Sequence, residues 1–284
     1  MKPEPTVHGT PGESGIQPSL NLPATASPAA TGPAVELVDL HKAFGSKPVL
    51  RGLTLQLLRG ETLCVIGGSG TGKSVTLKHI VGLLRPDRGT VRIDGTDIFQ
   101  SDNGRLGEIR KKIGFLFQGA ALLNSLNVFE NVALPLREHE RPSEEEIRRQ
   151  VTEKLALVDL TDAAEKMPDE ISGGMKKRVG LARAIIRNPE IILYDEPTAG
   201  LDPIMASTIN ALVLDLQKKL NVSSLVVTHD MSSVFRIADR IAMLLEGRVH
   251  KIGTKEEFRT SEDTKVQKFI YGDSEGPLRR DASR

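Results

Sequence analysis

The chain has 284 residues, 39% of them hydrophobic, which is enough to bury a core in one large or two modest domains. Its 38 basic and 37 acidic residues nearly cancel, so the charge balance gives no general attraction for nucleic acid or for an anionic membrane. The single cysteine excludes an internal disulfide framework and suits a reducing cytosol. No apolar run approaches the roughly 18 residues that cross a bilayer, and the N-terminus lacks the apolar segment of a signal peptide. We therefore expect no direct membrane insertion.

The N-terminal third of the chain begins with a tract that has little to bury. Residues 1–33 are rich in Pro, Ala, Thr, Gly and Ser, which predicts a disordered tail. From Val35, and again from Leu53, apolar and polar residues alternate, which predicts two strands of a small antiparallel sheet. Phe44 lies between these strands. It is either a packing residue or an exposed ring that could stack on a nucleobase.

A glycine-rich turn follows the apolar run Thr62 to Ile66 and precedes a stretch with apolar residues at helical spacing, Val75 to Leu84. The turn is Gly67-Gly68-Ser69-Gly70-Thr71-Gly72-Lys73-Ser74. Glycines let backbone N–H groups approach an anion closely, and the start of the helix adds partial positive charge. Lys73 supplies a full charge for the outer phosphates, and the Ser74 hydroxyl is placed to ligate Mg²⁺. The stretch predicts a nucleotide-binding phosphate loop.

Three later apolar runs, which we predict to be strands, end in polar side chains. The run from Lys112 ends at Gln118, the run from Ile191 delivers Asp195 and Glu196, and the run from Ser224 ends at His229. Because the carboxyl ends of parallel strands meet at one edge of a sheet, where ligands bind, we expect these side chains to converge there. Asp195 would hold a metal ion and Glu196 would polarise a water molecule. Taken alone, Gln118 could be a surface residue and His229 a capping or core residue.

Helical patterns fill much of the remaining sequence. The chain is predicted to be helical from Asn127 to about Ala164, with capping signals at 142–146. Ser172-Gly173-Gly174 precedes another helix and makes a second anion-receptive N-terminus, although the basic cluster 176–178 behind it could be merely a solvated face. A turn carrying Asp202 leads into a predicted helix from Pro203 to Leu220. Residues 240–252 predict a hairpin, residues 255–271 an amphipathic helical segment, and the last dozen residues a frayed end.

Taken together, these motifs resemble those of an ABC-type ATPase subunit, and the resemblance covers Val35 to about Tyr271. Six motifs occur in order: GGSGTGKS, the glutamine at 118, ISGGM, IILYDE, AGLD and the histidine at 229. The resemblance implies an α/β fold, a P-loop NTPase of ABC type with a mixed central sheet, an antiparallel β subdomain and an inserted helical subdomain at about 119–175. It implies an ATPase domain over 34–271, between the tail 1–33 and a flexible C-terminal tail at 272–284.

The family resemblance also implies two cofactors, ATP and Mg²⁺, and a role for each motif. Lys73 and the loop from Gly67 to Val75 bind the phosphates, and Phe44 stacks on the base. Val75 stands where the family usually has threonine, which leaves the α-phosphate to backbone N–H groups. The implied metal ligands are Ser74, Gln118 and Asp195, and the implied catalytic residues are Glu196, His229, Lys73 and Gln118. Ser172, Gly173, Gly174 and Asp202 are implied to face nucleotide held by a second copy, in a head-to-tail homodimer.

Three stretches narrow the resemblance to the Mla/Mce group of lipid-trafficking ATPases: FLFQGAALLNSLNVFENVALPLREH, ISGGMKKRVGLARAI and VQKFIYGDSEGP. Met175, where most transporters carry glutamine, fits that group. This implies two partners, a membrane permease and a lipid-binding protein, and it implies that the chain lies at the cytoplasmic face of the inner membrane, attached through the permease. It also implies no nucleic-acid partner and a C-terminal segment that reaches the neighbouring subunit.

The sequence leaves alternative cargoes and functions open. A small-solute importer or a lipoprotein exporter is separated from a lipid transporter only by the subgroup resemblance. A DNA-repair or chromosome-structuring ATPase would carry a long coiled coil between the phosphate loop and ISGGM, whereas only about a hundred residues without heptads intervene here. A translation-factor ATPase would carry two cassettes, and this chain has one.

Overall fold

The computed structural model describes residues 32–272, except for the side chain of Asn103. Residues 1–31 and 273–284, which make up most of the two predicted tails and the end of the predicted inter-subunit segment, lie outside this range. Residues 32–272 form ten strands in two sheets, together with nine α-helices. None of these helices is both long enough and apolar enough to cross a membrane.

The smaller sheet is antiparallel, with the strand order β2-β1-β4-β5. Its strands are β1 (Val35–Phe44), β2 (Lys47–Leu57), β4 (Arg88–Ile93) and β5 (Thr96–Asp97). The predicted pairing of the first two strands is confirmed. Leu37 lies opposite Leu55, and both side chains are buried, as the alternating pattern requires.

A partly buried carboxylate joins this sheet to the central one. Asp94, in the turn between β4 and β5, accepts hydrogen bonds from Arg59 Nη2 at 2.6 Å and from Lys112 Nζ at 2.8 Å. Burial raises the pKa of Asp94, but the hydrogen bonds from Lys112 and Arg59 outweigh burial, so its pKa lies below the usual value.

The central sheet has the order β10-β9-β3-β8-β7-β6. Its strands are β3 (Thr62–Ile66), β6 (Ile113–Leu116), β7 (Ile191–Asp195), β8 (Ser223–Val227), β9 (Arg240–Leu245) and β10 (Arg248–Thr254). Five of them are parallel, and β10 pairs antiparallel with β9 across the predicted Glu246-Gly247 turn. The segments that follow β3, β6, β7 and β8 therefore leave the sheet at the same edge.

The central sheet separates two hydrophobic cores. Successive residues of a strand point to opposite faces, so Ile192 and Tyr194 of β7 enter one core and Ile191 and Leu193 enter the other. One core lies against the antiparallel sheet and the first helix, and the other lies beneath the helices that follow β6. Both faces of these strands are buried, which explains their continuous apolar sequence.

The helices agree with the sequence pattern where apolar periodicity or capping is strong. They are α1 (Lys73–Ile80), α2 (Asn103–Lys111), α3 (Val128–His139), α4 (Glu144–Leu157), α5 (Gly173–Ile185), α6 (Pro203–Leu220), α7 (Met231–Ile237), α8 (Lys255–Arg259) and α9 (Thr264–Tyr271). Two 3-10 turns, Thr161–Ala163 and Pro168–Glu170, lie between α4 and α5. The predicted helix from Pro203 to Leu220 is confirmed. Ser143 caps α4 as predicted, accepting a hydrogen bond from the Glu146 N–H.

The sequence pattern was wrong at two helix boundaries and missed two helices. The first helix ends at Ile80, four residues earlier than predicted. Gly82, just beyond its end, has a left-handed φ of 69°, which a continuing helix does not allow. The segment 255–271 is not one helix, because Asp263 caps a new helix by accepting hydrogen bonds from the N–H groups of Lys265 and Val266. α2 and α7 were not predicted.

Candidate functional site

The phosphate loop lies between β3 and α1, as predicted. Gly67 has a φ of 151°, and a Cβ added there would lie 2.5 Å from the Leu244 carbonyl oxygen, so only glycine fits. Gly72 is the N-cap residue of α1, with a φ of 101°, and no side chain caps the first turn of the helix. The backbone N–H groups of that turn are therefore available to an anion.

Lys73 lies across the loop that precedes it. Its Nζ donates hydrogen bonds to the carbonyl oxygens of Gly67 at 2.8 Å and Gly68 at 3.0 Å. Burial lowers the pKa of Lys73, and the nearby carboxylates of Glu196 and Asp195 oppose that shift. The ammonium thus lies between the loop and the acidic edge of the sheet, where it can neutralise phosphate charge.

Ser74 and Asp195 meet across the end of the central sheet. The Ser74 hydroxyl donates to Asp195 Oδ1 at 2.9 Å. Burial raises the pKa of Asp195, the hydrogen bond from Ser74 lowers it, and the adjacent Glu196 charge raises it again, so that the result is a raised pKa. A hydroxyl and a carboxylate side by side are oxygen donors of the kind that Mg²⁺ prefers, so these residues fit the implied metal ion.

Gln118 follows β6 at the same edge, but its side chain does not join this pair. The residue is exposed, and within residues 32–272 its amide makes no hydrogen bond. Its main-chain carbonyl instead accepts a hydrogen bond from Lys177 Nζ.

Glu196 is held from several sides and keeps one carboxylate oxygen free. It has a left-handed φ of 49°, and its N–H donates to the Val227 carbonyl at 2.8 Å. Its Oε1 lies 2.9 Å from His229 Nδ1, while Oε2 is buried without a hydrogen-bond partner in the described structure. Since a carboxylate only accepts, Nδ1 carries the proton in this contact. The free oxygen is available to a water molecule.

Residues 172–174 form the N-terminus of α5. Ser172 caps α5 by accepting a hydrogen bond from the Met175 N–H at 3.2 Å. Ser172 and Gly173 are exposed, whereas Gly174 is buried. Among the described residues, no hydrogen bond or ion pair joins 172–174 to the phosphate loop. One chain therefore presents two separate anion-receptive surfaces.

Asp202 and Phe44 complete the predicted set. Asp202 caps α6, and its Oδ1 accepts from the N–H groups of Ile204 and Met205 at 2.9 and 3.0 Å. Phe44 ends β1 with its side chain about half exposed, and Lys42 Nζ lies 5.9 Å from the ring centroid. The start of β2 packs against Gly72, which brings the β1–β2 hairpin beside the loop.

The burial of Lys177 in the site was not predicted from the sequence. The basic cluster that contains it could have been a solvated face, but Lys177 is only 5% exposed and contacts two segments of the site. Its helical spacing from Gly174 and from Leu181, both buried, was the available signal.

Comparison with known proteins identifies the family. The model of the family described as ABC transporter matches residues 50–199, which include the phosphate loop, the 172–174 turn and Glu196. This chain belongs to the ABC transporter family. It is an ABC ATPase, an ATP-binding subunit that hydrolyses ATP, and the predicted fold class is confirmed.

Relatives of this ABC ATPase are found in bacteria and in a plant. It is 44% identical to the probable ribonucleotide transport ATP-binding protein mkl of Mycobacterium leprae, over 87% of this chain and 71% of that protein. It is 41% identical to the intermembrane phospholipid transport system ATP-binding protein MlaF of Haemophilus influenzae, over 86% of this chain and 93% of that protein. A dimeric post-hydrolysis structure of the cassette MJ0796 with ADP and Pi superposes with a TM-score of 0.71 at 36% identity, covering 78% of this chain and 98% of that one.

Proposed function

We propose that this ABC ATPase powers lipid transport, with phospholipid as the cargo, as the nucleotide-binding subunit of a Mla/Mce-type system. It would act as a head-to-tail homodimer bound to an integral membrane permease and a lipid-binding partner, at the cytoplasmic face of the inner membrane. The proposed ATPase domain is 34–271, with the helical insertion at about 119–175 and tails at 1–33 and 272–284. The similarity to the MlaF protein over most of both chains supports the cargo.

The strongest support for the proposed mechanism of ATP hydrolysis is the environment of the Glu196 carboxylate. Glu196 Oε2 is buried and unpartnered at the edge of the sheet where Ser74 meets Asp195. A carboxylate in that environment is suited to accept a hydrogen bond from an attacking water.

The remaining residues would bind and orient the nucleotide. Lys73 and the N–H groups from Gly67 to Val75 hold the phosphates, and the Phe44 ring stacks on the base. Ser74, Gln118 and Asp195 would hold Mg²⁺, whose charge would offset that of the phosphates. The His229 ring holds Glu196 through Nδ1, and its side chain is largely exposed, which leaves the ring accessible to the γ-phosphate.

The two separate anion-receptive surfaces support a shared site. Ser172, Gly173, Gly174 and Asp202 of one copy would close over nucleotide held by the loop of the other copy. A two-fold axis then makes two equivalent sites. Since phosphoryl transfer depends on positioning and charge compensation, neither half is fast alone.

The catalytic role is tested with Glu196→Gln in the full-length chain. We expect phosphate release to fall by roughly 10²- to 10⁴-fold, because the amide cannot accept the water's proton, while ATP binding persists. Glu190→Gln, at the opposite end of β7 and about half exposed, is the matched control and should hydrolyse ATP normally. Hydrolysis by Glu196→Gln at the wild-type rate would refute the assignment.

The cargo is tested separately, because it rests on similarity rather than on the site. The chain is purified from detergent-solubilised membranes of its own source, and the co-purifying membrane protein and bound lipids are identified by mass spectrometry. Phospholipid held by a complex with a permease supports the proposal. A permease complex that holds a small solute and no lipid counts against it.

A further inference from the structure

Lys177 is a buried lysine on the helix that carries the 172–174 turn. It lies in the second turn of α5, and only 5% of its surface is exposed. A lysine is almost never fully buried unless its ammonium finds partners, because removing an ammonium from water costs several kcal/mol. The acceptors that it has found therefore identify what it does.

Both acceptors of Lys177 belong to the site. Its Nζ donates one hydrogen bond to the main-chain carbonyl of Gln118, which follows β6. It donates another to the carbonyl of Glu196, which follows β7, at 3.1 Å. One ammonium thus bridges the two segments that carry the proposed metal-facing amide and the proposed water-facing carboxylate.

Glu196 needs this kind of support. Its φ of 49° lies in the left-handed region, which costs a glutamate of the order of 1–3 kcal/mol and persists only when neighbouring groups fix it. The Val227 carbonyl holds the N–H side of Glu196, and Lys177 holds its carbonyl side. Together they fix the peptide groups on both sides of the residue whose carboxylate must be aimed.

A second cation on α5 also donates hydrogen bonds to the backbone of the segment that follows β6. Arg183 donates to the carbonyl oxygens of Ala120 at 2.5 Å and Ala121 at 2.8 Å. Both alanines also have left-handed φ values, 60° and 48°. Two cations on α5 therefore hold three carbonyl groups of the backbone between Gln118 and Ala121. Of these two cations, only Lys177 also bonds to Glu196.

We propose that Lys177 is a positioning residue for ATP hydrolysis, whose ammonium fixes the Gln118 backbone to the Glu196 backbone and ties both to the helix that begins at the 172–174 turn. A displacement of α5 then moves the metal-facing and water-facing segments together. The inference rests on the proposed roles of Gln118 and Glu196.

The test compares Lys177→Met, which keeps the length of the side chain and removes its donors, with a matched buried lysine. Lys154 on α4 is 2% exposed, and its Nζ donates to Asn188 Oδ1 at 2.7 Å, away from the catalytic segments. We expect K177M to lower kcat by about 100-fold with little change in KM for ATP, since a misplacement of about 1 Å at a reacting group has that effect. K154M should lower the melting temperature and leave kcat unchanged.

Rescue separates positioning from stability. Lys177→Arg retains a cation with several donors, so it should restore most of the lost kcat. If K177M does not fold, Lys177→Gln takes its place, because it leaves no buried charge and is too short to span both carbonyls. A fall in its kcat of about tenfold or more with unchanged KM supports the proposal.

Three results would overturn the inference. They are a wild-type kcat in K177M or K177Q, an equal loss of kcat in K154M, and a loss in K177M that appears in KM alone. Glu196→Gln is measured alongside. If E196Q hydrolyses ATP normally, the proposed function fails; if E196Q is inactive and K177M is normal, only the role of Lys177 fails.

Discussion

Replacing Gly174 with alanine would place a methyl group inside the contact between α5 and α6. A Cβ built on Gly174 lies 2.2 Å from Met205 Cε, whereas ordinary van der Waals contact is 3.4–4 Å. The overlap therefore exceeds 1 Å, and Met205 must move. Met205 lies in the first turn of α6, and its N–H donates to Asp202 Oδ1 at 3.0 Å. The strain is thus delivered to the turn that carries Asp202.

The effect of this substitution on stability should be small. Alanine is favoured over glycine in a helix by up to about 1 kcal/mol. Forcing the Met205 side chain off its rotamer costs about 0.5–1.5 kcal/mol, because it is the flexible end of the side chain that must shift. The two contributions nearly cancel, so the free energy of unfolding of G174A should lie within about 1 kcal/mol of wild type.

The effect on activity should be larger, because the 172–174 turn and Asp202 both face the proposed second copy. We expect kcat to fall by about tenfold in G174A, since sub-ångström shifts at a composite site are enough to misplace it, while binding of a fluorescent ATP analogue to the phosphate loop is unchanged. Met205→Ala removes the atom that clashes. The double variant G174A/M205A should therefore recover most of the activity of M205A alone.

The assay is steady-state phosphate release by the four proteins of this cycle, with urea unfolding of each. Non-additive recovery in the double variant is the diagnostic result, since contacting residues couple. A double variant no more active than G174A would refute the argument. So would a loss of several kcal/mol of stability in G174A, because it would mean that Met205 cannot move.

Two further predictions concern the phosphate loop and the acid dependence of stability. Gly67→Ala should abolish ATP-analogue binding and destabilise the chain by more than the roughly 1–3 kcal/mol of backbone strain, because the new methyl also meets the Leu244 carbonyl oxygen, which belongs to the backbone and cannot swing aside. Gly70→Ala has a φ of 77° but open space around it, so in thermal melts it should show only the backbone cost of about 1–2 kcal/mol. Equal losses in the two variants would contradict the steric reasoning. Asp94→Asn should lower the free energy of unfolding at pH 7 by about 1–2 kcal/mol through loss of its charged hydrogen bonds. Because the pKa of Asp94 is lowered in the folded chain, that contribution is present above the unfolded pKa of about 3.9 and is lost as pH falls through the folded pKa. In urea unfolding, the difference in stability between D94N and wild type should thus be largest at pH 7 and shrink steadily as the pH is lowered below about 3.9, and a deficit that does not change with pH would contradict the assignment.

The strands were predictable because of where they lie. β3, β7 and β8 are buried on both faces, so their sequences are short and mostly apolar, without the alternation of a half-exposed strand. α6 was predictable because an aspartate cap and a proline mark its start. α2 was missed because the sequence NGRLGEIRK has two glycines and few apolar residues to show a period. α7 is only seven residues long and depends on tertiary packing.

The site was predictable to the level of motifs and not to the level of contacts. The sequence places Ser74, Asp195, Glu196 and His229 at one edge, because parallel strands share their direction. It does not reveal that Lys177 is buried, since its acceptors are main-chain carbonyls on segments 59 and 19 residues away, which only the folded chain brings together.

The half-exposed ring of Phe44 has a consequence for which nucleotide the protein can use. A phenyl ring offers an apolar face and no hydrogen-bond donor or acceptor, so it gains much the same from any purine laid against it. Amino and carbonyl substituents, which distinguish adenine from guanine, point along the base plane and away from such a contact. With Phe44 in its proposed role as the base-stacking ring, this contact would thus respond to the size of the base and hardly to its identity, and any preference of the cassette for adenine would have to come from other residues.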